Sequence, residues 1–507
     1  MLPIALAAPL RDALIAADFT FDAVSDLLGP QALAALARNE TTPGLRRTAQ
    51  RDVAGTPLAT LTRLFLLQAP TSLEDAERAL PGLVDRLAVA GVLSQGVGEV
   101  AARLDVRPYG TDATAGDAEG DLWVVSDLTP GLDGAATRVT GDYVLGISPA
   151  SSSLAQLTLR HDVESSLDLG TGCGVQALHL AGHSDRVVAT DVNARALSIA
   201  RFNAALNDVD DLVEVRDGSF FAAVAGERFD LIATNPPFVI SPATGERLVY
   251  RDSGLPGDQV VEHIVRTAPD HLTDGGWCQV LANWVIEADR PWDDRIASWL
   301  PDECDAFVVQ REVLDPASYV ELWLKDSGHH PATGGDPRAY AGRYDTWLSW
   351  LEEQGVGGIG FGWINLRRRA GAASSTLRRD LVEWPYDVEQ PIAPAIGAWA
   401  TDVAASAALT PDTRLVLRED VLQETSGAVG AEDPAAIVLR QQRGFRRARQ
   451  VDTVVAAVAG ACDGELPVGP LLDAVGQLLE RDPASLREVY LPEVADLVAE
   501  GFLHPAP

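Results

Sequence analysis

Three glycines at alternate positions, in Asp168-Leu169-Gly170-Thr171-Gly172-Cys173-Gly174, follow an apolar run at Ser166 to Leu169 and precede a helical stretch from Val175. Glycine makes so sharp a turn without strain and leaves bare backbone at a helix N-terminus, against which a ligand can lie. A strand, such a turn and a helix form half of a strand-helix-strand unit, which commits the region to a parallel sheet. The flanking sequence repeats the unit. Val187 to Thr190, Val213 to Val215, Leu231 to Thr234 and Cys278 to Leu281 continue the series of strand candidates. Ala306 to Val309 and Gly360 to Ile364 are the sixth and seventh, separated by a polar stretch, Ser327 to Arg338, that reads as a loop or insertion.

This α/β centre spans residues 109–400 and is flanked by two small helical domains, 1–108 and 401–507. The first shows apolar periodicity in Leu58 to Leu67 and Ala79 to Val89, the second in Leu471 to Leu479 and Leu486 to Val498. Leu87 to Leu93 lines up with Leu497 to Leu503, each a helix end, a glycine and an apolar pair, as in the last helix and first wing strand of a winged-helix module.

Charge limits the partners. Forty basic against 73 acidic residues leave a net charge of −33, which repels nucleic acid at long range, so any such contact needs a local basic patch. Two exist, Arg367-Arg368-Arg369 with Arg378-Arg379, and Arg440, Arg443, Arg446, Arg447 and Arg449. They either clamp phosphates or neutralise neighbouring carboxylates. The acidic helices of the flanking modules, with Glu74, Asp75, Glu77 and Asp85 or Glu488, Glu493, Asp496 and Glu500, suit protein docking or a purely structural role better than groove reading. Trp284 and Trp363 serve either base stacking or core packing. Four scattered cysteines form no CxxC pair, which points to a reducing cytoplasm, and no apolar run approaches the roughly 18 residues of a membrane span. His179 and His183 have metal-ligand spacing but no third ligand nearby, so no metal is expected.

Glycine turns of this kind also serve dinucleotides, and two acids argue against that ligand. Asp168, just before the turn, suits a cationic sulfonium bearing an ammonium group and repels a pyrophosphate. Asp191 ends the next strand about 20 residues on, where a carboxylate accepts from both ribose hydroxyls. Asp217-Gly218-Ser219 after the third strand is placed to meet an adenine amino group, or to cap a turn. The cofactor expected is S-adenosyl-L-methionine, contacted by Asp168, Gly170, Thr171, Gly172, Gly174, Asp191, Asn193, Asp217 and Gly218.

The chemistry is placed at Asn235-Pro236-Pro237-Phe238, at the carboxyl end of the fourth strand, where open α/β sheets hold their ligands. Two prolines fix the backbone and remove two N–H donors. The Asn235 amide oxygen and the Pro236 carbonyl can then hold both hydrogens of a planar NH2 group, with Phe238 stacked on its plane.

These motifs, in this order, resemble class I S-adenosylmethionine-dependent methyltransferases with a methyltransferase small domain, whose branches include release-factor glutamine methyltransferases and ribosomal RNA guanine exocyclic-amine methyltransferases. Residues 135–285 carry the resemblance, including Asp191-Val192-Asn193-Ala194-Arg195-Ala196-Leu197 and Ala200-Arg201-Phe202-Asn203-Ala204. It implies a Rossmann-like, seven-stranded, mostly parallel sheet with a reversed final hairpin, and Asn235 as substrate orienter. Phe238 in place of tyrosine is more frequent in RNA- and adenine-directed branches, whereas Gly254-Leu255-Pro256-Gly257-Asp258 resembles the downstream loop of the glutamine branch. The expected activity is N-methylation of a planar NH2 group on a translation-related macromolecule, foremost an rRNA or tRNA base amine. A release-factor glutamine is the alternative carrier, and a non-catalytic cofactor-binding scaffold is the third reading.

Overall fold

The computed structural model describes residues 1–110, 121–134, 139–237, 239–242, 255–333, 335–370, 377–429 and 434–506. They form two compact units, one from Met1 to Pro385 except for Gln156–Leu159 and Ser374–Arg378, which belong with the other, Tyr386–Pro507.

The first unit is built on a sheet of eight strands: β1 (Ser166–Leu169), β2 (Val187–Asp191), β3 (Val213–Asp217), β4 (Phe229–Thr234), β5 (Leu272–Glu287), β6 (Cys304–Leu314), β7 (Val356–Arg368) and β8 (Arg379–Glu383). Their order is β8-β6-β7-β5-β4-β1-β2-β3, with β7 alone antiparallel to its neighbours. All seven strand candidates are present. The expected count of seven is corrected by β8, whose Arg-Asp-Leu-Val-Glu is half-buried and too polar to signal a strand; parallel pairing with β6 makes it one.

Order along the sheet reverses at β1, which opens a crevice at the carboxyl ends of β1 and β4, where ligands bind in this class of fold. Leu169 and Thr234 are register partners, tied by the Thr234 hydroxyl donating to the Leu169 carbonyl at 2.7 Å. Gly170 and Asn235 therefore leave the sheet side by side. Helix α1 (Val175–Ala181) follows the glycine turn, and α2 (Ala194–Leu206) follows β2.

From α2, two asparagines one helical turn apart grip a neighbouring strand, Leu122–Asp127. Asn203, fully buried, accepts from the Val125 amide at 2.9 Å and donates to the carbonyls of Val125 at 2.9 Å and Cys173 at 2.7 Å. Asn207 pairs likewise with the amide and carbonyl of Trp123, both at 2.8 Å. The two side chains supply the hydrogen bonds a further strand would have made.

The polar stretch before β7 is a short connection between helices Pro316–Asp326 and Pro337–Glu353, which makes the insertion largely helical. In the N-terminal region a helical pair, Leu73–Ala79 and Val84–Val89, precedes Leu93–Gln95 and Glu99–Ala102, and Thr71–Ser72 completes a three-stranded sheet with Glu99–Ala102 at its centre. The periodic run Ala79 to Val89 is thus broken after Leu80, where Pro81-Gly82 cannot continue a helix. Two helices are thus followed by a small antiparallel sheet.

The second unit repeats it with helices Val468–Leu478 and Pro483–Ala499 and strands Asp463–Pro467 and Leu503–Pro505, but the central strand, Arg414–Leu417, comes from before the helices. Gly91 and Gly501 occupy equivalent helix ends with φ of 78° and 75°, a left-handed conformation that favours glycine and explains the matching segments.

Candidate functional site

A cavity of about 460 Å³ lies at the carboxyl ends of β1, β2 and β4. The glycine turn forms its floor, residues 218–220 one end, Thr234 to Pro237 another, and a segment from Tyr143 to Ser151 a further wall.

Asp168 is only 1% exposed, and its carboxylate accepts from the Thr171 hydroxyl and, at 3.0 Å, from the Ala177 amide. Burial pushes its pKa up to about 7. Its hydrogen bonds make it an organiser of the turn, although it also lines the cavity. Gly170 and Gly172 hold φ of 80° and 56° and open onto the cavity. Gly174 lies behind the wall, where a Cβ would meet Ala200 at 3.2 Å; a larger residue would push α2 away.

Asp191 bridges turn and sheet, Oδ2 accepting from the Gly172 amide at 2.9 Å and Oδ1 from the Asn193 amide at 2.8 Å. Burial raises its pKa. Each oxygen retains a further lone pair for a ligand hydroxyl. Asn193 reaches the cavity too, but its side chain caps α2 through the Arg195 amide and donates to the Asp142 carbonyl at 3.0 Å.

Asp217 is exposed and absent from the cavity wall, whereas Gly218, Ser219 and Phe220 line it. The expectation that Asp217 faces the ligand therefore finds its place taken by Phe220, whose φ of 47° is rare for a non-glycine residue and turns the chain inward. That strain is invisible in sequence. Also unforeseen were Tyr143, Ser148, Ser151, Gln176 and Thr190, which line the cavity without any motif to mark them.

Asn235 is half-buried, and its Oδ1 is buried with no hydrogen-bond partner among the described residues. Pro236 and Pro237 line the cavity beside it. Phe238 lies outside the described residues. Past the prolines, the Ile240 amide donates at 2.8 Å to the hydroxyl of Tyr319, a fully buried residue that also accepts from Asn283 at 3.2 Å.

Away from the cavity, His179 is half-buried: desolvation depresses its pKa to about 3, and its ring meets Tyr109 edge-on at 5.2 Å. Among the described residues no group of three or more His, Cys, Asp or Glu could hold a metal ion, and no helix is long and apolar enough to cross a membrane. Trp284 is core, fully buried and stacked on Trp292 at 5.8 Å, while Trp363, nearly buried, carries Arg311 over its ring at 5.1 Å.

Comparison with known proteins places a family on this geometry. The methyltransferase small domain matches residues 146–291, and two domains of unknown function match 16–103 and 396–505. The chain is 38% identical over 152 residues to the ribosomal protein uL3 glutamine methyltransferase of Bradyrhizobium diazoefficiens, covering 28% of this chain and 48% of that protein. It is 37% identical over 129 residues to a release factor glutamine methyltransferase of Xylella fastidiosa, 23% of this chain and 46% of that one. To the ribosomal RNA small subunit methyltransferase C of Salmonella arizonae it is 32% identical over 151 residues, 29% and 40%. It thus spans about half the length, or less, of these curated relatives. The central domain, residues 146–291, is a class I S-adenosylmethionine-dependent methyltransferase domain of the methyltransferase small family.

Proposed function

We propose that the chain transfers a methyl group from S-adenosylmethionine to the nitrogen of a planar NH2 group on a translation-related macromolecule. The observation that carries this reading is the buried Oδ1 of Asn235, without a hydrogen-bond partner among the described residues, beside Pro236 at the edge of the cavity. An acceptor left without a donor costs about 1–3 kcal/mol, which a substrate N–H recovers.

The residues present fit the cofactor. Asp191 keeps lone pairs for the ribose hydroxyls, Gly170, Thr171 and Gly172 present their turn, and Gly218 and Phe220 close the adenine end; Asp168 and Gly174 shape the turn from behind. When bound, the cofactor supplies an electrophilic methyl group on a sulfonium. Asn235 Oδ1 and the Pro236 carbonyl take the two amine hydrogens and fix the direction of the nitrogen lone pair. Both acceptors gain strength as positive charge grows on that nitrogen, so they favour the transition state over the ground state. Neither proline offers an N–H to compete.

Two carriers of the NH2 group are open, an RNA base amine and a protein glutamine, and the arginine clusters favour the second. Arg368 pairs with Asp274, Arg369 with Asp305, Arg379 with Asp302, Arg440 with Glu424, and Arg449 with Glu493 and Glu500. Five of the ten cluster arginines thus carry carboxylate partners, and guanidinium groups so neutralised release fewer counterions from a phosphate backbone. With a net charge of −33, a protein substrate in the cytoplasm is the better match, docked by the winged-helix modules.

Incubating the chain with methyl-labelled cofactor and fractionated lysate tests this. Label in macromolecules that survives RNase and is lost to protease is expected. Loss to RNase instead restores the base amine, and no label with tight cofactor binding leaves a scaffold.

A further inference from the structure

A further wall of the cavity begins at Tyr143, outside the match to the family, and no sequence motif marks it. Tyr143 is 6% and Val144 1% exposed, yet the segment has no regular secondary structure, so its position depends on what ties it down. Three ties converge. Asp127, at the end of its strand, donates its amide to the Val144 carbonyl at 3.1 Å and accepts the Val144 amide on Oδ2 at 2.8 Å. Arg195, in the first turn of α2, forks onto the same carboxylate, Nε to Oδ2 at 3.2 Å and Nη2 to Oδ1. Asn193, capping α2, donates to the Asp142 carbonyl at 3.0 Å.

We infer that Asp127, Asn193 and Arg195 are positioning residues that hold residues 143–148 as the second wall of the cofactor cavity and set how long the cofactor stays bound. The inference rests on the methyltransferase reading. Asn193 and Arg195 lie two and four residues after Asp191, the expected ribose ligand, so the helix start that orders one wall also fastens the other. The fork is a charge-assisted pair whose carboxylate side is only 13% exposed, so solvent screens it weakly. Entry and escape share one path, so contacts that the wall makes only with the bound cofactor act chiefly on its dissociation. Loosening the wall therefore acts on dissociation.

Stopped-flow binding of S-adenosylhomocysteine to the full chain reads both rates. Asn193→Ser keeps a side-chain oxygen to cap α2 but cannot reach Asp142, and Arg195→Gln removes the fork at a half-exposed position where folding is safe. Each is expected to raise the dissociation rate about tenfold, with the association rate within about twofold and thermal unfolding nearly unchanged. Dissociation unchanged in both variants, or a loss confined to association, overturns the inference and leaves the methyltransferase reading standing. Failure of the unaltered chain to bind S-adenosylhomocysteine overturns that reading, and the inference with it.

Discussion

Replacing Asn203 by leucine keeps the branched shape of the side chain, at a greater volume, and removes all three hydrogen bonds that fasten the strand Leu122–Asp127 and the glycine turn to α2. The side chain is fully buried, so water cannot take over: the Val125 amide and the carbonyls of Val125 and Cys173 are stranded. At roughly 1–1.5 kcal/mol for each stranded group, the loss is about 4 kcal/mol. At 1.36 kcal/mol per decade, that is about a thousandfold in the opening equilibrium. Native-state hydrogen exchange at the Val125 amide is the direct assay, and loss of protection by about a thousandfold is expected. S-adenosylhomocysteine affinity should fall in the same variant, because the Cys173 carbonyl belongs to the turn. A loss of protection below about tenfold refutes the reasoning, since it means that the strand is held by packing and the asparagine only accompanies it.

Asn235→Ala is expected to abolish methyl transfer with S-adenosylhomocysteine affinity within about twofold, while Asp191→Ala weakens that affinity about 10–100-fold; calorimetry beside a labelled-methyl assay separates the two. Tyr319→Phe strips the acceptor from the buried Ile240 amide and should cost about 1–3 kcal/mol in urea unfolding, with turnover falling and cofactor affinity held, because the chain leaving Pro237 loses its anchor. Asp168 carries the pH prediction. Its folded pKa, about 7, lies above the ordinary carboxylate value of 3.8, so the folded state binds the extra proton between those values. Its contribution to stability is fully present below about pH 4 and is lost as pH rises through about 7. Asp168→Asn should flatten that part of the stability curve, and an unaltered slope in urea midpoints between pH 4 and 7 would sink the assignment.

The place of the crevice was legible. Gly170 to Gly174 after an apolar run, Asp191 at the next strand end and Asn235-Pro236-Pro237 at the fourth are each short stretches whose backbone is set by their own residues, so order and spacing sufficed to name the crevice. The matching helix ends at Gly91 and Gly501 showed for the same reason, through a helix end, a glycine and an apolar pair. The tertiary structure decided everything that depends on pairing across the chain. Register between Leu169 and Thr234 brings the two motifs together. A left-handed Phe220 replaces Asp217 at the cavity, and a segment without any motif, tied to Asp127, Asn193 and Arg195, becomes its second wall. Arg414–Leu417 fills the centre of a sheet whose other strands lie dozens of residues later. Such contacts join residues far apart in sequence, and nothing in either partner's neighbours specifies the other; their energy exists only once the core has closed around them.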